Sequence, residues 1–241
     1  LDHSDVVEDA NCNRSERILE RLVFMFLFGS AAKTRMVTPE DALPGRAERP
    51  FELPAEHLVL GTLLEGPYPE GTESLYLGMG CFWGAEKKFW RIPGVYTTAV
   101  GYQGGITPNA SYEEVCTGRT GHAENVLVVY DPSVVSTYDL LKVFWENHDP
   151  TQGYRQGNDV GTQYRSAVFW TNDDQAEIVE RTRASFDALI RERKYGEVTT
   201  EVGPAEGLPF YFAEPYHQQY LYSHPNGYDC HSETGLKLPA L

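Results

Sequence analysis

The sequence predicts an α+β fold: a single domain built on one mixed sheet with helices packed against it. Three observations carry this. From Glu73 onward, short β-rich runs alternate with amphipathic helical stretches and long loops, the pattern of one sheet with helices laid on it. An apolar run, Leu75-Tyr76-Leu77-Gly78-Met79, enters a helical stretch through a tight turn at Gly80-Cys81. The Rossmann glycine fingerprint is missing, which leaves a dinucleotide site without support.

The elements follow in order. Residues 1–72 read as an N-terminal extension and 73–241 as the domain. Within the extension, Leu22–Phe28 is strongly apolar and Gly29-Ser30-Ala31-Ala32 follows it, as in a signal peptide. However, Asp2, Asp5, Glu8 and Asp9 stand where a basic leader is needed, and the run is shorter than the ~20 residues that span a bilayer. The expectation is a cytoplasmic, non-secreted protein, with Met25 or Met36 as candidate natural starts and the first residues vector or mis-translated sequence. Residues 34–72 contain Pro39, Pro44, Pro50, Pro54, Pro67 and Pro69 and read as an irregular wrapping arm. Val95–Tyr102, Asn125–Tyr130, Ser166–Thr171 and Val198–Val202 read as strands. Thr137–Asn147 reads as a helix with Leu140, Leu141, Phe144 and Trp145 on one face. Asp173–Lys194 is the longest helix, with Ile178, Thr182, Phe186 and Ile190 at helical intervals and Gly196 as its stop. Pro215–Tyr222 reads as a short helix.

Composition narrows the function classes. The 241 residues suffice for one good core. Twenty basic against 35 acidic residues give a net charge of −15, which argues against nucleic acid or an anionic membrane as partner. Four cysteines, Cys12, Cys81, Cys116 and Cys230, are too few and too scattered for a secreted disulfide scaffold. They form no Cys-x-x-Cys pair, so no metal site is expected. Their scatter fits a reducing compartment and thiol chemistry.

Cys81 is the candidate nucleophile. A thiol at a helix start faces amides that have no intrahelical partner and carry partial positive charge. Such a setting favours the thiolate and can lower a cysteine to roughly 3.5–7.5. Phe82 and Trp83 place aromatic faces beside the sulfur. The same residues also suit a cysteine buried in a core turn. His122 and His148 open a second reading, a Cys–His dyad of hydrolase type. His122-Ala123-Glu124 echoes the His-x-Glu of zinc deaminases, but the Pro-Cys-x-x-Cys partner is absent. His122 fits better as a structural donor to backbone.

Several stretches together carry a resemblance. Gly80-Cys81-Phe82-Trp83-Gly84, Gly121-His122-Ala123-Glu124, Tyr130-Asp131-Pro132 and Phe144-Trp145-Glu146-Asn147-His148-Asp149-Pro150 come first. Arg155-Gln156-Gly157-Asn158-Asp159, Gly161-Thr162-Gln163-Tyr164-Arg165-Ser166 and Ala213-Glu214-Pro215-Tyr216-His217-Gln218-Gln219-Tyr220-Leu221 follow. In this order, from about Leu75 to the C-terminus, they resemble the A-type peptide methionine sulfoxide reductases. The resemblance implies a ferredoxin-like core with long loops. It also implies thiol-dependent reduction of methionine S-sulfoxide, free and in proteins, as protein repair under oxidative stress. No bound cofactor is implied; electrons come from thioredoxin or a similar dithiol donor.

The resemblance assigns roles that simple chemistry can follow. A sulfoxide is a poor electrophile until its oxygen is protonated or strongly hydrogen-bonded. Cys81 supplies the nucleophile and ends as a sulfenic acid. Glu124, expected just before the strand at Asn125, is the acid, kept protonated if it is pressed against Phe82 and Trp83. Read without the family, it is equally a surface glutamate at a strand end. Tyr112 and Tyr164 are the phenols placed around the substrate oxygen, donors that need no charge. Asp159 supports the site through bound water. Phe82 and Trp83 cage the S-methyl group. Cys230, in a polar tail read as flexible, resolves the sulfenic acid as a disulfide with Cys81. Relatives carry one more cysteine near the C-terminus, where Lys237 stands in Gly235-Leu236-Lys237-Leu238-Pro239, so a two-step relay is not expected. Cys116 reads as structural, and Cys12 has no assigned role. Two alternatives use the same residues: a peroxide-reducing thiol protein, favoured by an exposed and ionised Glu124, and a redox-sensing module that grips methionine-containing partners without turnover.

Overall fold

The structure, a computed structural model, describes residues 33–229 and 232–241. The apolar run and glycine turn of the motif become strand β1 (Glu73–Met79) and helix α1 (Phe82–Phe89), with Cys81 as the residue that starts the helix. Gly80 between them has φ +93°, and a side chain there would collide with Gln156. Then come β2 (Val95–Gln103), α2 (Tyr112–Cys116), β3 (Ala123–Tyr130), α3 (Thr137–Glu146) and the β4 (Arg155–Gln156) to β5 (Asp159–Val160) hairpin. A 3₁₀ turn (Thr162–Tyr164) leads to β6 (Ser166–Trp170), α4 (Asp173–Glu192), β7 (Glu201–Pro204) and β8 (Tyr211–Phe212). A second 3₁₀ turn (Pro215–His217) and α5 (Tyr220–Ser223) close the described order.

The main sheet runs β7-β6-β1-β3-β2-β8. All its pairings are antiparallel except β6 with β7, so it is mixed. Its inner four strands, with α1 after β1 and α3 between β3 and β6, form the βαββαβ arrangement of a ferredoxin-like core. The α+β expectation holds.

Strand periodicity decides what each face carries. Leu75, Leu77 and Met79 of β1 and Val126, Val128 and Tyr130 of β3 pack with Phe82, Phe89, Phe144, Trp145, Phe186 and Ile190 of the helices. Leu127 and Val129 point the other way, onto Leu64, with Leu53 and Tyr68 of the arm alongside. The arm therefore covers the sheet face that the helices leave open, and β3 is buried along its whole length. Glu124 shares the parity of Val126, so the pleat aims it at α1.

The helices end where local chemistry stops them. Ser136 caps α3 through a reciprocal capping box with Asp139, and Asn172 caps α4. α4 ends at Glu192, before the Gly196 stop read from sequence, and Lys194 takes the left-handed turn at φ +62°. The strand expected at Val198 starts at Glu201, paired in parallel with β6. Pro215–Tyr222 is a 3₁₀ turn and a separate short helix, divided at Gln219 with φ +49°. No helix among the described residues is long and apolar enough to cross a membrane. The signal-like run and Cys12 lie outside the described residues.

Phe186 is fully buried and stacks on Trp145 at 5.5 Å, joining α4 to α3. Phe186→Ala is expected to cost about 3–5 kcal/mol through lost burial and a cavity. Urea denaturation with an unchanged slope measures this, and a loss below about 1 kcal/mol would show that the two helices are not held by this contact.

Candidate active site

The first amides of α1 all serve one small region. The side chain of the N-cap residue, Cys81, makes no capping hydrogen bond. The Phe82 N–H donates to Glu124 Oε2 at 3.1 Å, and the Trp83 and Gly84 amides face the Cys81 sulfur. Cys81 is only 6% exposed and Glu124 2%. Glu124 lies inside β3, opposite Tyr102, and not ahead of the strand as the sequence suggested.

The thiol does not follow the helix-start expectation. Burial pushes Cys81 well above the usual thiol range, and the negative charge of Glu124 adds to the shift. The helix amides oppose this and lose, because desolvation penalises the thiolate more than two amides reward it. In the ligand-free site Cys81 is a thiol. Glu124 is raised to about 8, first by burial, against the Phe82 hydrogen bond, with the charge of Asp159 adding to the rise. At neutral pH the pocket therefore holds two protons, one on sulfur and one on a carboxyl.

The phenols stand around this pair. Tyr112 opens α2, and Tyr164 ends the first 3₁₀ turn. Burial raises both, and the Glu124 charge is the next contribution in each case, so both hydroxyls keep their protons. The charge of Asp159 acts on Cys81, Glu124 and Tyr164, and its Oδ1 accepts the Tyr228 hydroxyl at 3.0 Å. The fold thus gathers Cys81, Phe82, Trp83, Tyr112, Glu124, Asp159 and Tyr164 from five separate stretches of chain.

Several residues of the site were not read from sequence. His217 is fully buried, and its Nδ1 accepts the Trp83 indole N–H at 3.0 Å. Burial lowers His217 to about 4, so it stays neutral and can accept. The Trp83 ring stacks on Tyr220 at 3.9 Å. His217 also lies against Phe82 at 5.2 Å and Tyr112 at 4.5 Å. Glu214 takes the Tyr112 amide at 2.8 Å and the Tyr102 hydroxyl at 2.8 Å. Gln218 and Gln219 pin this wall: Gln218 bonds the backbone of Val100 and Ala213, and Gln219 gives two hydrogen bonds to the buried carboxyl of Glu86. The only signal for these residues was their place inside a matched stretch; a buried acceptor for an indole leaves no periodic mark.

The two histidines that suggested a dyad stand elsewhere. His122 Nδ1 accepts the Gly105 amide at 3.0 Å and its Nε2 faces the Thr107 carbonyl at 2.7 Å. His148 is fully buried against the Phe144 carbonyl and Ser166 Oγ, both at 2.7 Å. Cys116 is a half-buried thiol at the end of α2, with the Tyr112 hydroxyl and the Glu124 charge among the influences on it.

Cys230 lies outside the described residues. The described residues on either side of it make contacts with the catalytic domain. Tyr228 bonds Asp159, and Asp229 Oδ2 pairs with Lys87 Nζ of α1 at 3.3 Å. Beyond it, Ser232 bonds Gln152, Glu233 pairs with Lys88, and Lys237 pairs with Glu146 at 2.9 Å.

Comparison with known proteins identifies the family. The family model described as "Peptide methionine sulfoxide reductase" matches residues 73–240. Curated relatives named peptide methionine sulfoxide reductase MsrA include that of Salinispora arenicola, 56% identical over 217 residues, with 88% of this chain and 96% of that one covered. The Rhodospirillum centenum protein of the same name is 57% identical over 215 residues, covering 89% and 96%. Among solved structures, methionine sulfoxide reductase A of Corynebacterium diphtheriae superposes with a TM-score of 0.74 at 48% identity, covering 86% of this chain and all of that one. The reduced form of Mxr1 from Saccharomyces cerevisiae gives 0.60 at 34% identity, covering 69% and 94%. The chain belongs to the A-type peptide methionine sulfoxide reductases, thiol-dependent enzymes that reduce methionine S-sulfoxide.

Proposed function

We propose that Cys81 is the nucleophile and Glu124 the acid of this reduction. The observation that supports it is the burial of both groups at one helix start, where the Glu124 carboxyl accepts the amide of the residue after Cys81 at 3.1 Å. The step needs both of them. Glu124 gives its proton to the sulfoxide oxygen while Tyr112 and Tyr164 donate hydrogen bonds to that oxygen. A protonated sulfoxide is cationic, and a cation beside Cys81 favours the thiolate that the empty site suppresses. The Cys81 sulfur attacks the sulfoxide sulfur and an S–S bond forms, while the thiol proton passes to the Glu124 carboxylate; the S–S bond and the substrate S–O bond then break as the hydroxyl is transferred to the Cys81 sulfur. Methionine leaves, and Cys81 becomes a sulfenic acid. No proton is consumed overall. Phe82 and Trp83, the latter fixed between His217 and Tyr220, receive the S-methyl group. Asp159 acts by holding water and the tail, since Tyr228 bonds it. The buried Glu124 also counts against the peroxide-reducing alternative, for which an exposed carboxylate was the mark.

Cys230 then resolves the sulfenic acid: its thiol displaces the hydroxyl, a Cys81–Cys230 disulfide forms, and water leaves. Anchoring of Tyr228 and Asp229 beside the site supports this choice. A thioredoxin-type dithiol reduces the disulfide. The protein works on free and protein-bound methionine sulfoxide in the cytoplasm, with residues 1–72 as an extension to the catalytic unit at 73–241.

Cys81→Ser is expected to abolish reduction of the S epimer in dithiothreitol, because a neutral hydroxyl is a far weaker nucleophile. Retained turnover in that variant ends the assignment.

Glu124→Gln keeps the shape and loses the proton. Single-turnover methionine release should slow by about 10²–10⁴-fold. In the wild type the rate should fall as pH rises through about 8, where Glu124 ionises, and the variant should lack that limb. Stability gives an independent check. The folded value lies above the unfolded 4.5, so between 4.5 and about 8 the unfolded chain has released a proton that the folded protein retains. Stability therefore falls with rising pH across that window. Glu124→Gln should gain stability over the wild type as pH goes from 5 to 8; an equal offset at both ends would mean Glu124 is not buried as an acid.

Cys230→Ser should complete one turnover and stop with a sulfenic acid that dimedone traps. Its recycling by a thioredoxin-type donor should fail. A Cys81–Cys116 disulfide in peptide maps, or undiminished recycling, would show that another thiol resolves the intermediate.

A further inference from the structure

The helix that presents Tyr112 cannot hold itself in place. α2 has five residues, too few to be stable without external contacts. Its N-cap Ser111 and N3 Glu114 form a reciprocal capping box, with Ser111 N–H to Glu114 Oε2 at 2.9 Å and Glu114 N–H to Ser111 Oγ at 3.3 Å. One residue of the arm seizes this start. Arg46 makes five hydrogen bonds to the stretch Pro108–Glu114. Its backbone N–H donates to the Pro108 carbonyl, and its carbonyl accepts from Asn109 Nδ2. Its guanidinium donates to the Asn109 carbonyl at 3.0 Å and spans both oxygens of Glu114 at 2.6 and 3.1 Å. Gly45 just before it has φ +66°, and a side chain there would strike the Pro108 carbonyl, so the approach needs glycine. Gly45 and Arg46 lie outside the stretch that the family model covers.

We propose that Arg46 is a positioning residue for the reduction: through its fork on Glu114 it sets where the Tyr112 hydroxyl stands. An exposed ion pair adds little stability, and Arg46 is 38% exposed. Its value is geometric. A bidentate guanidinium fixes distance and plane together, and the carboxylate it grips is the one that caps the helix beginning at Tyr112. The opposite side of that start is held by Glu214 on the Tyr112 amide. With Arg46 removed, α2 would hang from one side, and a donor displaced by about 1 Å can cost ~10²-fold in rate.

The inference rests on Tyr112 acting as an oxygen donor, so the experiment is a double-mutant cycle read by single-turnover methionine release. Tyr112→Phe should slow release by about 10²-fold or more. Arg46→Met should slow it by about 10-fold with half-saturating substrate changed by less than about twofold. In the Tyr112→Phe background, adding Arg46→Met should change the rate by less than about twofold, because the hydroxyl it positions is gone. Arg46→Lys should fall between Arg46→Met and wild type, since an ammonium cannot span both oxygens. The control is Arg49→Met. Arg49 forks onto Glu65 in the same arm at 3.1 and 3.0 Å, and its loss should leave the rate within about twofold of wild type. If Arg46→Met fails to fold, Glu114→Gln weakens the same pair while keeping a cap, and the cycle is run with it. Equal slowing by Arg46→Met with and without the Tyr112 hydroxyl, slowing by Arg49→Met as large as by Arg46→Met, or a wild-type rate in Arg46→Met overturns the inference and leaves the Tyr112 assignment intact. A wild-type rate in Tyr112→Phe overturns that assignment and this inference with it.

Discussion

A carboxyl buried against the first amide of a helix governs this molecule. The Glu124–Phe82 contact joins the middle of β3 to the start of α1, and the thiol sits in the residue just before it. If the carboxyl were exposed it would ionise, and its charge would hold the thiol protonated with no compensating acid. If it were replaced by an apolar group, the Phe82 amide would be buried without a partner. Placing it there costs stability across the neutral range, because the folded protein must carry a proton that the unfolded chain releases.

That placement explains the covered sheet. Glu124 is desolvated only if both faces of β3 are closed. The helices α1, α3 and α4 close one face, and the arm closes the other through Leu64 with Leu53 and Tyr68. A second buried carboxyl, Glu86, extends the same principle along α1. It is raised to about 7 chiefly by burial, and it takes hydrogen bonds from Thr98 and Gln219. Gln219 reaches on to the Leu58 amide of the arm, and His57 bonds Thr98. Arm, first helix and C-terminal wall are therefore one hydrogen-bonded unit, and the wall carries the histidine that fixes Trp83.

Legibility from sequence tracked the range of the interaction. The strand–glycine–helix unit at Cys81, the buried faces of α3 and α4, and the four central strands all have local periodicity, and they were read within a few residues. β4, β5 and β8 have two residues each and α2 has five, so they carry no period to find. The start of β7 moved because parallel pairing with β6 sets it, not propensity. The proton on Cys81 was misread for a related reason. A helix start is visible in sequence, but depth of burial and a carboxylate 43 residues downstream are not, and those two decide the direction of the shift. His217 and Arg46 make contacts 134 and 68 residues away, and no spacing rule reaches so far.

The tail shows the same logic in the other direction. Glycines and polar residues around Cys230 suggested freedom, but freedom depends on contacts. Glu146 on α3 accepts both the Leu238 amide at 3.1 Å and the Lys237 ammonium at 2.9 Å, and the Leu238 side chain is buried in the core. Lys237 is thus part of an anchor. On the near side, Tyr228 and Asp229 hold to Asp159 and to Lys87, both next to the thiol pocket. The described residues before and after Cys230 are thus held to the catalytic domain. The order lost to a mobile tail would have to be regained at each turnover, and tethering avoids that entropic cost. The exposed Lys87–Asp229 and Lys88–Glu233 pairs contribute little energy individually. Contacts of that strength hold a segment beside the pocket and break at little cost.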